Sequence, residues 1–148
     1  MLIRSATLAD IPSLIILASQ AETSAQWSYE QYQQAIHSSQ PRRIAVVLEE
    51  QSKILGFLIA QAIEREWELE NIVVASSTQR RGLGSHLLNH FLDLVRREHA
   101  ESVLLEVRES NHAARGFYGK FAFQQIGRRA HYYTNPWEDA LTFRLEFP

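Results

Sequence analysis

The sequence predicts a mixed α/β fold in which one central, mostly antiparallel sheet carries helices packed against it. Two observations lead there. Apolar residues switch between helical and strand spacing in the order helix, helix, three strands, helix, strand, helix, two strands. No repeat, low-complexity run or linker interrupts that order, and 148 residues with 45% hydrophobic side chains suffice for one core, so residues 1–148 read as a single domain.

The elements follow in turn. In "TLADIPSLIILA", Thr7 is the N-cap with Asp10 three residues on, and Ile11, Leu14, Ile15 and Ala18 fall at helical spacing. "SYEQYQQAI" repeats that grammar, with Ser28 and Gln31 as a capping box, and the helix closes before Pro41. "RRIAVVLEE" and "KILGFLIAQAI", separated by the polar "EQSK", read as an antiparallel strand pair, and "EWELENIVVA" as a third strand entering the sheet centre. Residues 82–98 place Leu87, Leu88, Phe91, Leu92 and Val95 on one stripe, with Arg96 and Arg97 at the C-terminal end where cations are favoured. "SVLLEVRES" is then a buried strand and "NHAARGFYGKF" a helix opened by Asn111. "AFQQIGRR" and "DALTFRLEF" close the chain as strands around a loop "YYTNPWE".

Composition narrows the function classes. Fifteen Lys and Arg against seventeen Asp and Glu give a net charge of −2, so no global field points to nucleic acid or an anionic membrane. The absence of cysteine excludes disulfides, thiolate zinc sites and a cysteine nucleophile. The N-terminal stretch lacks the layout of a signal peptide, and no run approaches the roughly 20 apolar residues of a membrane span. These features lead us to expect a soluble, cytoplasmic protein with no metal.

The informative segment is "TQRRGLGSHLL". A strand, then Gln79-Arg80-Arg81-Gly82-Leu83-Gly84, then a helix aims free backbone N–H groups at an anion, and Gly82 and Gly84 let the ligand approach. Two arginines at a helix N-terminus are disfavoured by about 0.3–1 kcal/mol each unless an anion is bound. A diphosphate suits amides and guanidinium forks together. The alternative is a plain glycine turn with both arginines in water. Neither GxGxxG nor the P-loop pattern is present.

"VVASSTQRRGLGSHLL" resembles the acetyl-CoA motif of the GCN5-related N-acetyltransferase (GNAT) superfamily, and "LLEVRESNHAARGFYGKFAF" is similar to the signature of its RimI-type ribosomal-protein alanine acetyltransferases. The likeness continues in "QWSYEQY" and "GRRAHYYTNPWEDALTFRL" and spans almost the whole chain. It implies the GNAT fold and transfer of acetyl from acetyl-CoA to a protein N-terminal α-amine, that of a ribosomal protein, without an acyl-enzyme. A small amine or lysine acceptor, or a CoA sensor without catalysis, remains as an alternative. The implied partner is a protein N-terminus, with no direct nucleic-acid or membrane partner, and the expected state is a monomer or weak homodimer.

The same resemblance assigns residues. Backbone groups of Ile72, Val73 and Val74 would pair with the pantetheine arm. Gln79, Arg80, Arg81, Gly82, Leu83, Gly84 and Ser85 would hold the pyrophosphate, and Asn111 and Tyr118 would reach the CoA arm and sulfur. Glu106, set in "VLLEV" among aliphatics whose desolvation raises a carboxyl pKa, is the first candidate base. Glu68 is the alternative, two residues from Glu70 on one strand face. Tyr118 takes the acid role by resemblance; without it, an aromatic beside Phe117 and Phe121 would read as core. Trp27, Glu70, Tyr132 and Tyr133 are the candidate substrate contacts. His86 and His90, four apart on the main helix, read as a solvated face rather than metal ligands. One departure is visible: relatives carry Leu-Gly-Phe where this chain has Phe121-Ala122-Phe123, so an added Cβ is expected to shift the helix bearing Tyr118.

Overall fold

The computed structural model describes residues 1–21, 24–78 and 81–148. Its core is a seven-stranded sheet of β1 (Leu2–Ser5), β2 (Arg43–Glu50), β3 (Lys53–Ile63), β4 (Glu66–Val74), β5 (Ser102–Arg108), β6 (Gln124–Thr134) and β7 (Trp137–Glu146). The spatial order is β1-β2-β3-β4-β5-β7-β6, and every neighbouring pair is antiparallel except β4 with β5. Helices α1 (Ile11–Ser19) and α2 (Tyr29–His37) cover one face, while α3 (Leu83–Arg97) and α4 (His112–Lys120) cover the other. No helix of the described residues is long and apolar enough to cross a membrane.

Each face has its own core because strand side chains alternate. Val47, Phe57, Ile59 and Val73 pack with Ile11, Leu14 and Tyr32 on the α1/α2 side. Leu48, Leu58, Trp67, Leu105 and Leu141 pack with Leu87, Leu88, Phe91 and Val95 of α3 on the other. The apolar stripe of α3 is therefore the buried face, as its spacing predicts. Gly56 admits the helix: a Cβ there would lie 2.9 Å from the Val73 carbonyl and 3.1 Å from Leu87. The Ser28–Gln31 capping box and the Asn111 cap are both present, with Ser28 Oγ accepting from Gln31 N–H and Asn111 Oδ1 from Ala114 N–H.

The expected element order needs two corrections. The first strand of the sheet, β1, is absent from it; four residues with no regular inside/outside alternation carry too little pattern, and their pairing with β2 spans more than forty residues. Arg4 of β1 instead ties the N-terminus down, donating to both Asp10 carboxylate oxygens at 2.8 and 3.0 Å and holding that carboxyl below its ordinary pKa. Second, "YYTNPWE" is not a loop. Strand β6 runs to Thr134 and β7 begins at Trp137, leaving Asn135 and Pro136 as the turn of a long hairpin.

At the end of α4 the chain makes a Schellman turn: Phe123 N–H donates to the Tyr118 carbonyl and Ala122 N–H to the Gly119 carbonyl, at 3.2 and 3.1 Å. The Phe123 ring then packs edge-on against Tyr118, 5.5 Å between centroids. The turn therefore keeps its hydrogen bonds with alanine at the position where the resemblance implies glycine. Ala122 carries the cost, at φ +69°, in the left-handed region where a Cβ is strained. Ala122→Gly should relieve that strain and raise unfolding stability by about 1 kcal/mol in urea denaturation; an unchanged or lower value would contradict it.

Candidate active site

The site is created where two parallel strands part. Strands β4 and β5 pair only at Glu66–Ser102, Trp67–Val103 and Glu68–Leu104. Beyond that point β4 continues on β3 and β5 continues on β7. The divergence begins at a bulge: Ile59 of β3 faces Asn71 and Ala60 faces Leu69, leaving Glu70 as the extra residue. A bulge bends its strand and reverses the alternation. Trp67 and Leu69 accordingly belong to the α3-side core together with Ile72 and Val74, while Val73 turns to the α1/α2 side.

Between the parted strands lies a cleft of about 570 Å³. Its walls are Leu69–Val74 of β4, Leu105–Arg108 of β5, Gly84 in the first turn of α3, and Asn111, Phe117 and Tyr118 around α4. Ala21, Ser24 and Ala25 between α1 and α2 form one lip, and Tyr133 of β6 lies opposite. Backbone groups on the inner edges of β4 and β5 have no neighbouring strand past Glu68 and Leu104, so this cleft offers a ready ladder for an extended ligand.

The closed end of the cleft is held by charge. Ser102 Oγ donates to Glu66 Oε1 at 2.6 Å, and the Arg144 guanidinium of β7 donates to the same carboxylate. Three strands are thereby joined across the first rung of the parallel pair.

Glu106 and Tyr118 meet at this cleft. Strand alternation puts Val103, Leu105 and Val107 in the α3-side core and Glu106 on the opposite face. Its carboxylate is thus not surrounded by those aliphatics, which corrects the sequence expectation; it is half-buried in the cleft. One oxygen, Oε2, is buried without a hydrogen-bond partner. Burial raises its pKa most, the Arg129 guanidinium opposes that rise, and the nearby Glu68 charge adds to it. Tyr118 is 6% exposed, with its ring in the core, and burial pushes the phenol well above its ordinary value. It is therefore protonated throughout the neutral range.

The alternatives to Glu106 are placed differently. Glu68 lies outside the cleft wall, accepting from Gln61 Nε2 at 3.4 Å. Glu70 reaches the cleft but is engaged by Arg43, whose Nε and Nη2 donate to its two oxygens at 2.9 and 3.3 Å.

The glycine turn has the expected geometry. Gly82 caps α3 at φ +73°, and the first intrahelical bond is His86 N–H to the Gly82 carbonyl. The N–H groups of Leu83, Gly84 and Ser85 therefore form the open first turn, a site for negative charge. Gln79 and Arg80 lie outside the described residues. No partner for Arg81 is visible in the sequence; the fold supplies Glu50 at the end of β2, 2.7 Å away. A cation at that pole of the helix is thus already compensated within the chain.

Of the four candidate substrate contacts, Glu70 and Tyr133 reach the cleft wall. The Tyr133 ring lies 4.2 Å under the Arg108 guanidinium, which Glu138 holds at 3.3 Å. Trp27 packs on Tyr32 of α2, 5.4 Å between centroids, and Tyr132 is exposed beside Tyr133; neither lines the cleft. His86 is exposed and His90 half-buried on α3. Sequence reasoning missed two residues near the cleft. Asn71, 6% exposed, donates to the Ala25 carbonyl at 3.3 Å and ties the lip to the bulge. Arg129 stands beside Glu106 at 3.6 Å. Both act across elements distant in sequence, where no spacing rule operates.

Known proteins share this fold. A sequence model described as the acetyltransferase (GNAT) family matches residues 11–123. That span includes every residue of the cleft wall except Tyr133. The [ribosomal protein bS18]-alanine N-acetyltransferase of Salmonella typhimurium (strain LT2) is 32% identical over 141 residues, covering 88% of this chain and 95% of that protein. The protein of the same name from Escherichia coli (strain K12) is 37% identical over 100 residues, covering 66% of this chain and 68% of the other. The crystal structure of the ribosomal-protein-S18-alanine N-acetyltransferase from Escherichia coli superposes with a TM-score of 0.88 at 31% identity, covering 98% of this chain and 92% of that one. The parted β4 and β5, the open first turn of α3 and these matches agree: the chain belongs to the acetyltransferase (GNAT) family and is an acetyltransferase.

Proposed function

We propose that the protein transfers acetyl from acetyl-CoA directly to a protein N-terminal α-amine, with the N-terminal alanine of a small-subunit ribosomal protein as acceptor. The observation that carries this reading is the cleft itself. A half-buried carboxylate from β5 and a buried phenol from α4 line one cavity that also reaches the first turn of α3. The acceptor follows the names of the relatives from Salmonella typhimurium and Escherichia coli.

The division of labour follows from the two protonation states. Attack on a thioester needs a neutral amine, and an α-amine with a pKa of about 7.7–8.0 is roughly one-tenth neutral near pH 7. The base has a modest task. Glu106, with an unpartnered oxygen and a raised pKa, suits it directly or through a water. Tyr118 stays protonated and can give its proton to the departing thiolate. Backbone groups of Ile72–Val74 would bind the pantetheine amides as an added strand, and one of their N–H groups would polarise the acetyl carbonyl. The N–H groups of Leu83–Ser85 would hold the pyrophosphate, assisted by the left-handed Gly82. Asn111 would serve the CoA arm while capping α4.

Four outcomes test this reading. An Ala-starting peptide should be acetylated, whereas turnover of only an internal lysine or a free polyamine would reject the N-terminal acceptor. Glu106→Gln and Tyr118→Phe should each lower kcat by roughly 10²–10⁴-fold; wild-type rates in both would refute the roles. Adding CoA should slow amide hydrogen exchange at Leu83–Ser85, and no change there would remove the pyrophosphate seat. The last concerns stability. A carboxyl whose folded pKa is raised favours folding while protonated and loses that contribution as pH rises through the raised value. Above that raised value the ionised Glu106 thus costs stability, so Glu106→Gln should there melt no lower than wild type, its advantage shrinking as pH falls through it. A lower melting temperature would show that the carboxylate is instead a structural ion-pair partner.

A further inference from the structure

We propose that Arg129 is a positioning residue for Glu106, its guanidinium resting on the Tyr132 ring and closing the outer side of the carboxylate. This inference rests on Glu106 being the base.

The placement comes from an irregularity in β6. Arg129 pairs with Ala140 and Tyr133 with Glu138, so Ala130, His131 and Tyr132 together oppose Asp139 alone. Two extra residues are an even number, and the alternation survives the bulge: Arg129 and Tyr133 remain on one face of the sheet. That face is the one bearing Glu106, because Glu106 pairs with Thr142 and Arg108 with Ala140 across β5 and β7. Asp139 staples the bulge, accepting from His131 N–H at 2.9 Å and from Arg128 Nη1 at 2.8 Å. His131 takes the positive φ of 53° that the excursion requires. Tyr132 is thereby set beside its own strand, with the Arg129 guanidinium 5.3 Å above its ring.

From that platform Arg129 Nε stands 3.6 Å from Glu106 Oε2, the oxygen that is buried without a hydrogen bond. The separation is too long for a hydrogen bond and short enough for strong charge interaction. The other charged and titratable groups around Glu106 come from five elements. Glu68 and Glu70 stand on β4, Arg108 on β5 itself, Tyr133 on β6 and Glu138 on β7, with Tyr118 on α4. Arg43 occupies Glu70, and Glu138 occupies Arg108. What remains to act on Glu106 is the Glu68 charge on one side and Arg129 on the other, in opposite senses. Arg129 therefore opposes part of the rise that burial and Glu68 produce, favouring the ionised carboxylate that can accept a proton.

Stability gives Arg129 little reason to be there. Its side chain is 61% exposed, and a pair so open to water adds little to folding. Its effect should appear in proton affinity and, by linkage, as a stability contribution confined to pH values where Glu106 is ionised, a dependence that a purely structural role would not show.

The test uses the full chain without ligand. Carbon-detected NMR of the Glu106 carboxyl should show its titration midpoint rising by about half a unit to one unit in Arg129→Gln. Arg129→Lys should restore most of the wild-type midpoint, and Tyr132→Leu should give a smaller rise. The acidic limb of kcat/KM with an Ala-starting peptide should move by the same amount, while the KM for acetyl-CoA stays put. An unmoved Glu106 midpoint in Arg129→Gln overturns the inference. If the midpoint moves but Glu106→Gln keeps the wild-type rate, Glu106 is not the base and the inference falls with that assignment. If Glu106→Gln is inactive and the midpoint does not move, only the role of Arg129 is lost.

Discussion

The molecule is organised by one constraint: two parallel strands that pair for three residues and then separate. A sheet does not give up a ladder freely, since each buried N–H and C=O left without a partner costs as much as a lost hydrogen bond. Two devices hold the separation. Ser102, Glu66 and Arg144 fasten the closed end, and the bulge at Glu70 turns β4 away at the other. The cleft exists because both act, and everything that lines it is placed relative to them. The backbone edges left open beyond Glu68 and Leu104 explain why a ligand of extended, amide-bearing chemistry suits the gap better than a compact one.

Around that gap the chain uses two kinds of support. On the α4 side the Schellman turn and the Phe123–Tyr118 contact hold the Tyr118 ring, which belongs to the core and also lines the cleft. On the β6–β7 side the support is electrostatic. Glu138 accepts from Ser110 N–H at 2.5 Å and pairs with Arg108, while Arg128 bridges Glu109 and Asp139, so the hairpin and the turn leading into α4 form one charged network. A packed ring is rigid, whereas exposed ion pairs yield at small cost. The Tyr118 wall of the cleft is accordingly held by packing and the hairpin wall by charge, which leaves the hairpin side as the more adaptable one.

Much of this was legible in the residues, and what was not has a physical reason. Local rules found α3 from its stripe, α2 from Ser28 and Gln31, and the Asn111 cap, because each depends on neighbours within a few positions. They missed β1, whose four residues gain meaning only from β2, and they took the tip of the β6–β7 hairpin for a loop because Asn135 and Pro136 read as breakers. Glu106 shows the boundary well. "VLLEV" identifies an unusual carboxylate in an apolar strand, yet alternation sends it to the face opposite those aliphatics, and it is half-buried in the cleft instead. Tyr118 would have read as a core aromatic without family resemblance, and by burial it is one.

The paired arginines of the glycine turn carry the same lesson to electrostatics. A cation beside the positive pole of a helix invites an anion, and from the sequence that anion can only be a ligand. In the fold Arg81 already has Glu50, from a strand that ends 31 positions earlier in the chain. The unfavourable placement is thus largely neutralised before any ligand arrives, and a diphosphate at Gly82–Ser85 would compete with Glu50 for the same guanidinium. The backbone N–H groups of the first turn have no such rival and would remain open to the phosphates. Directed hydrogen bonds from those amides would then hold the ligand alongside whatever charge Arg81 can still offer, an arrangement that suits a substrate that must leave as product after each turnover.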